Sequence, residues 1–381
     1  MKRIVWVVVV MSVLLGLLPL GAQAAELELG AKSALLMDAA TGTVLYEYNP
    51  AEALAPASVT KVMTLLLIME AIDDGRIRWE DIVTASETAA AKGGSQIYLK
   101  VGETMSVRDM VKSIAVSSAN DCACAMAEHI AGSEAGFVDM MNAKAQELGM
   151  RSTHFVNCTG LDDDPDAANH KTSALDIALM SRELITRHPA ITEFTTIWMD
   201  TVRDGSFGLS NTNKLVRFYN GTTGLKTGFT AEAGYCLSAT ARRDGMELIA
   251  VVMGCKTSQD RFSACKSMLD YGFANYAVIK PELPEAATIP VKLGASETVS
   301  AVPGKQTPIL IDKAQKSLIS YRTVLEESVA APVSKGQRLG TLFVEAGGQV
   351  LAEIPLVAEV SVAKLTWGQI FMRVLKSVVM A

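Results

Sequence analysis

Between Ser58 and Gly75 the chain carries Val62, Met63, Leu65, Leu66, Leu67, Ile68, Met69 and Ile72, which on a helix leave almost no polar face. Such a helix is stable only when buried on all sides, so the domain that holds it must supply packing partners in several directions. The flanking sequence supplies them. Residues 34–37 and 43–48 are apolar or aromatic runs on either side of Asp38-Ala39-Ala40-Thr41-Gly42, the pattern of a two-stranded hairpin. Helical spacing predicts further helices over 107–117, 121–131, 136–148 and 173–187, and strands return near 234–241 and 248–253. Strands at both ends with helices between them predict an α+β domain whose sheet is assembled from distant segments.

A chain of 381 residues is too long for one ordinary core, and a second unit is legible. Lys280-Pro281-Glu282-Leu283-Pro284-Glu285 reads as a proline-punctuated linker that ends a first domain over 25–280. Short β-like runs broken by glycine and proline then predict an all-β domain over 286–361. In the segment 362–381, Trp367, Ile370, Phe371, Val374, Leu375 and Val378 recur at helical spacing, with Thr366, Gln369, Arg373, Lys376 and Ser377 opposite. A packed core helix could look similar, but a terminal position and net positive charge favour a helix lying in a membrane interface. Arg373 and Lys376 would make spanning costly.

At the other end, Lys2 and Arg3 precede an apolar run over 4–20, and Ala22-Gln23-Ala24 has the small-x-small form of a cleavage site. The alternative is an uncleaved membrane helix, but Ser12, Gly16 and Pro19 break the run, so 1–24 is expected to be a secretory signal peptide. That places the chain outside the cytoplasm, where its six cysteines could form disulfides. Cys122 and Cys124, two apart on an alanine-rich helix, point in different directions, which favours buried thiols; Cys255 with Cys265 is the pair most open to bridging. None of His129, His154, His170 and His188 stands at zinc-ligand spacing beside a cysteine pair. The formal charge of -6, with both signs interspersed, offers no basic stripe for nucleic acid.

Ser58-Val59-Thr60-Lys61 opens the buried helix with a hydroxyl and an amine that one helical turn brings to the same face. Serine is a weak nucleophile and needs a base. An ammonium held among apolar neighbours is disfavoured, so the Lys61 pKa should fall and its neutral amine become available to take the Ser58 proton. Backbone N–H groups at the helix start suit a developing oxyanion. The motif alone proves little, because about one Ser-x-x-Lys is expected by chance in a chain this long. Ser263-Ala264-Cys265-Lys266 is such a decoy, and taken singly Ser58 and Lys61 read as a helix cap and a solvated lysine.

Company changes that reading. Ser118-Ala119-Asn120 lies between two helical stretches, and Lys226-Thr227-Gly228 follows a glycine-rich turn near the closing strands. Each is weak by itself: Ser118 reads as a cap for the helix after it, and Lys-Thr recurs at Lys171-Thr172 and Lys256-Thr257. In this order, and with this context in Pro56-Ala57-Ser58-Val59-Thr60-Lys61-Val62-Met63-Thr64, Ser118-Ala119-Asn120-Asp121 and Gly224-Leu225-Lys226-Thr227-Gly228, the chain resembles the low-molecular-mass penicillin-binding proteins. These are serine D-Ala-D-Ala carboxypeptidases of the peptidase S11, penicillin-binding protein 5/6 type. The resemblance covers almost the whole chain, and the order of signal peptide, catalytic domain, β domain and amphipathic tail agrees.

The resemblance implies a β-lactamase/transpeptidase-like catalytic domain on the outer face of the cytoplasmic membrane. It implies removal of the terminal D-alanine from the peptidoglycan stem pentapeptide through an acyl-enzyme that β-lactam antibiotics also form, with no cofactor or metal. Ser58 would attack and Lys61 take its proton, Ser118 and Lys226 would relay a proton to the departing amine, and Asn120 would orient the substrate amide. Lys226, Thr227 and Arg261 would hold the terminal carboxylate beside Gly228, and the N–H groups of Ser58 and Phe229 would form the oxyanion hole. Some relatives carry histidine at the position of Phe229, so a side-chain role there does not transfer. A serine β-lactamase is the nearest alternative, but no Glu-x-x-Leu-Asn lies between Ser118 and Lys226 to serve fast deacylation. A catalytically silent wall-binding protein is the other, and the presence of every named catalytic side chain weighs against it.

Overall fold

The computed structural model describes residues 27–163, 165–281, 287–304 and 308–379. The expected signal peptide and most of the expected linker lie outside the described residues. Strands β1 (Ser33–Asp38) and β2 (Val44–Tyr48) form the anticipated hairpin. Helices α1 (Lys61–Asp73), α2 (Val107–Ser117), α3 (Asn120–Ala131), α4 (Glu134–Glu147) and α5 (Ala174–Arg187) follow. The chain then returns to sheet with β3 (Thr222–Thr230), β4 (Gly234–Arg243) and β5 (Met246–Cys255), and α6 (Ser258–Asn275) follows them.

The five strands form one antiparallel sheet in the order β2-β1-β5-β4-β3, with Ser33 opposite Met253 and Asp38 opposite Leu248. Successive side chains of a strand point to opposite faces, so Leu35, Met37, Ile249, Val251 and Met253 join the helical core on one side. Ala34, Leu36, Leu248, Ala250 and Val252 join Phe262, Met268 and Leu269 of α6 on the other. Because both faces are covered, these strands read as continuous apolar runs rather than alternating ones. On the helical side, every residue of α1 from Val62 to Met69 is buried, among α2, α3, α4 and α5. Each of its leucines, isoleucines and methionines removed from water stabilises the fold by about 1.5–3 kcal/mol before entropy is counted.

The helix begins later than its sequence pattern. Ala57–Thr60 is a 3-10 turn, entered with Ala57 at φ +48° and closed by a 2.8 Å hydrogen bond from Thr60 Oγ1 to the Ala57 carbonyl. Ser118 also departs from expectation: it ends α2 in a left-handed conformation (φ +63°) instead of capping α3, whose cap is Ala119.

Beyond α6, β6 (Tyr276–Ile279) leads to β7 (Ala287–Lys292), β8 (Thr298–Pro303), β9 (Ile309–Asp312), β10 (Ile319–Leu325), β11 (Val329–Ala330), β12 (Arg338–Ala346) and β13 (Gln349–Ala358). Six of them form a sheet in the order β10-β12-β13-β8-β7-β11, over a core that includes Ile289, Val299, Leu339, Leu342, Val344 and Leu356. The fold is thus α+β followed by a β domain. β6 pairs antiparallel with β9, and Lys313 Nζ donates to the Phe273 carbonyl at 2.6 Å, so the strand leaving the first domain is built into the second. Helix α7 (Trp367–Val379) ends the described chain. All six cysteines are buried and free, the Cys255 and Cys265 pair included.

Candidate active site

The turn Ala57–Thr60 sets Ser58 at the rim of the sheet and directs Lys61, the first residue of α1, back beneath it. Lys61 is fully buried, with Nζ 2.9 Å from Ser58 Oγ and 2.7 Å from the carbonyl oxygen of Thr159. Burial pulls its pKa down from 10.5 to about 7, against the opposing influences of Cys158 and Asp121. A large fraction of the amine is therefore neutral near neutral pH and can accept a proton.

The turn is held from below by a histidine that the sequence reading left unused. The Val156 N–H donates to His170 Nδ1 at 3.0 Å, so Nε2 carries the proton and donates to Thr60 Oγ1 at 2.8 Å. Thr60 in turn donates to Ala57. Gly160 packs so closely under the turn that a Cβ there would stand 1.9 Å from the Ala57 carbonyl oxygen.

The Ser118-Ala119-Asn120 segment forms a second edge. The side-chain oxygens Ser118 Oγ and Asn120 Oδ1 are buried and have no hydrogen-bond partner among the described residues. Buried polar atoms are ordinarily satisfied, so these two are acceptors and donors held ready for something that binds. The other end of Asn120 is fixed, Nδ2 donating to the Gly93 carbonyl at 2.8 Å. Asp121, buried beside it, accepts from the N–H groups of Ile97 and Leu99 at 3.1 and 3.0 Å and ties the 93–99 segment to α3.

The third edge is β3, a strand that the sequence reading had only as a motif after a turn. Lys226 is buried, and its pKa is held well below the ordinary value by burial, then by the charges of Lys61 and Arg261. Thr227 Oγ1 donates to Thr212 Oγ1 at 2.7 Å. Gly228 lies directly against the Ser58 turn: a Cβ there would stand 2.6 Å from the Pro56 carbonyl oxygen and 3.1 Å from the Ser58 nitrogen. Phe229, 53% exposed, stacks on Tyr235 with ring centroids 4.3 Å apart. Arg261 reaches β3 from α6. Its Nη1 donates to the Gly228 carbonyl at 2.9 Å, its Nη2 lies 3.4 Å from Ser258 Oγ, and Nε is buried without a partner among the described residues. β3 thus packs against the Ser58 turn, and Lys61 lies within electrostatic reach of both Lys226 and Asp121 at the end of the second motif, while the decoy lysine Lys266 lies on α6.

The family model for D-alanyl-D-alanine carboxypeptidases of the S11 type matches residues 21–257, and that for the penicillin-binding protein 5 C-terminal domain matches 281–364. The chain belongs to the D-alanyl-D-alanine carboxypeptidase family. Among curated relatives, D-alanyl-D-alanine carboxypeptidase DacF of Bacillus subtilis is 43% identical, over 90% of this chain and 89% of its own. Penicillin-binding protein 5 of Haemophilus influenzae has a solved structure that is 31% identical, with a TM-score of 0.75 over 89% of this chain and 99% of its own. Penicillin-binding protein D2 of Listeria monocytogenes in its cefotaxime-bound form is 34% identical, with a TM-score of 0.60 over 65% of this chain and 98% of its own. The carboxypeptidase is accordingly a serine hydrolase. The groups that hold its hydroxyl-amine pair in place, Thr159, Gly160 and His170, come from a segment about a hundred residues downstream. Only the folded chain brings that segment under Ser58.

Proposed function

We propose that Ser58 attacks the carbonyl of the penultimate D-alanine of a peptidoglycan stem peptide while Lys61 takes the hydroxyl proton. The tetrahedral oxyanion would sit between the N–H groups of Ser58 and Phe229. The C–N bond then breaks, a proton passes through Ser118 and Lys226 to the departing amine, and D-alanine leaves; water attacks the Ser58 ester and frees the shortened peptide. Asn120 orients the substrate amide. Lys226 and Thr227, whose hydroxyl would turn from Thr212, receive the terminal carboxylate, and Arg261 adds positive potential. That guanidinium already donates to the Gly228 carbonyl and keeps its Nε–H without a partner among the described residues.

One observation carries the reading: a fully buried amine with a pKa of about 7 lies 2.9 Å from the hydroxyl it must activate. The unpartnered Ser118 and Asn120 oxygens support it, since an arriving peptide brings an amide N–H that Asn120 Oδ1 can accept, and the basic side chains Lys226 and Arg261 gathered at β3 suit its carboxylate. β-Lactams would acylate the same serine, a reading supported by the cefotaxime-bound Listeria relative. The test is release of free D-alanine from a diacetyl-Lys-D-Ala-D-Ala peptide. Release should fall at least about a thousandfold in Ser58→Ala, and release that survives in that variant would remove Ser58 from the role.

The chain is also proposed to be exported and to work at the outer face of the cytoplasmic membrane, on α7. Among the described residues no helix is long and apolar enough to cross a membrane. On α7, Trp367, Phe371, Met372 and Leu375 are exposed, and Arg373 lies within reach of Glu297 in the β domain. Apolar side chains that find no core suit an interfacial position.

A further inference from the structure

The Thr159 carbonyl that receives Lys61 is held by a polar cluster lying outside the three motifs. Glu134, in the first turn of α4, accepts from Lys92 Nζ at 2.6 Å and from Cys124 Sγ at 3.7 Å through Oε2. Through Oε1 it accepts from the Cys158 N–H at 3.3 Å and from Cys158 Sγ at 3.2 Å. Both thiols are completely buried. Burial works against the Glu134 charge, but the bonds from Lys92 and Cys158 outweigh it and hold the carboxyl below its usual range. Cys158 is held well above its own range, so it stays a thiol and a donor. Among the described residues no group of three or more His, Cys, Asp or Glu is placed to hold a metal ion.

From Cys158 the chain of contacts leads straight to the base. The Cys158 carbonyl accepts from Thr64 Oγ1 at 2.6 Å, and the next carbonyl, that of Thr159, accepts from Lys61 Nζ at 2.7 Å. Asn157 braces the loop from within, its Oδ1 accepting from the N–H groups of Thr159 and Gly160 at 3.2 and 2.7 Å. A neutral amine has two N–H bonds and one lone pair. With one N–H directed at Thr159, the lone pair can face the Ser58 hydroxyl.

We propose that Glu134, paired with Lys92, is a positioning residue that fixes the Thr159 carbonyl against Lys61 and so orients and seals the general base. The inference rests on the reading of Lys61 as that base. Without the anchor the 157–161 loop shifts and water reaches the amine. Lys61 faces Asp121, Cys158 and the buried amine of Lys226, and burial is what chiefly depresses its pKa. Water therefore raises the pKa, and the acid limb of acylation moves to higher pH.

The test is the rate of covalent labelling by a fluorescent penicillin, from about pH 5 to pH 9, for the full chain and its variants. Glu134→Ala should label about tenfold more slowly at neutral pH, with its acid limb displaced upward by about one unit. Glu134→Gln keeps an oxygen for the Cys158 N–H and should lie nearer wild type than alanine. Lys92→Met, at a partly exposed site, should displace the limb in the same direction even if Glu134→Ala does not fold. A folded Glu134→Ala or Lys92→Met with the wild-type limb, or a glutamine variant no better than alanine, overturns the proposal. A wild-type chain that does not label removes the underlying reading as well.

Discussion

Lys61 shows how one residue trades stability for reactivity. In the unfolded chain its amine holds a proton up to about 10.5, but in the fold only up to about 7. Between those values the unfolded state binds the extra proton, so stability rises with pH across the window, and below about 7 the full cost is present. That cost is on the order of a few kcal/mol. Lys61→Met removes it along with the activity. The advantage in Tm of the variant over the native chain should therefore be greatest near pH 6 and shrink by several degrees towards pH 10. Scanning calorimetry of both proteins at the two pH values checks this; an advantage independent of pH would mean that burial does not depress the amine.

Secondary-structure elements matter here through how closely they approach one another. β3 can run beside the Ser58 turn because position 228 has no Cβ, the nearest atom to one being a backbone oxygen 2.6 Å away. Backbone cannot yield as a side-chain tip can, so Gly228→Ala must push the strand away from the turn. The proposed oxyanion site, whose two donors would come one from each element, widens with it. Acylation by a fluorescent penicillin should fall about a hundredfold, in keeping with the loss of one oxyanion donor, while far-UV circular dichroism stays native. An alanine variant that labels at the native rate would mean that the two elements are not rigidly coupled. The same reasoning explains why the Ser118 hydroxyl is left over: in a left-handed end to α2 it does not cap α3, so its oxygen is unspent.

Across the whole molecule, the β6–β9 pairing and the Lys313 bond to Phe273 knit the catalytic and β domains together. The β domain thereby stands between the cleft and α7 in the chain. If α7 is the proposed interfacial anchor, the full chain should cosediment with anionic lipid vesicles. A chain ending at Ser361 should bind at least about tenfold more weakly, since it lacks the exposed Trp367, Phe371, Met372 and Leu375 that would enter the lipid. Equal sedimentation of the two would place the membrane contact elsewhere.

What the sequence by itself determined was local in character. The hydroxyl and amine of Ser58 and Lys61 need only one turn of chain to meet, and a helix apolar on every face must be central. The three short motifs were readable because each is a few adjacent residues, and the second domain because its texture changes after a proline-rich stretch. The tertiary structure alone decided what stands around that pair. The Thr159 carbonyl on Lys61, the His170 ring beneath the turn and the Glu134 carboxylate behind Cys158 join segments tens to about a hundred residues apart. A backbone carbonyl leaves no mark in a sequence, and a lone histidine or glutamate looks the same whether solvated or buried. Their places come from packing, which fixes distance and excludes water, and those two quantities set the pKa of Lys61.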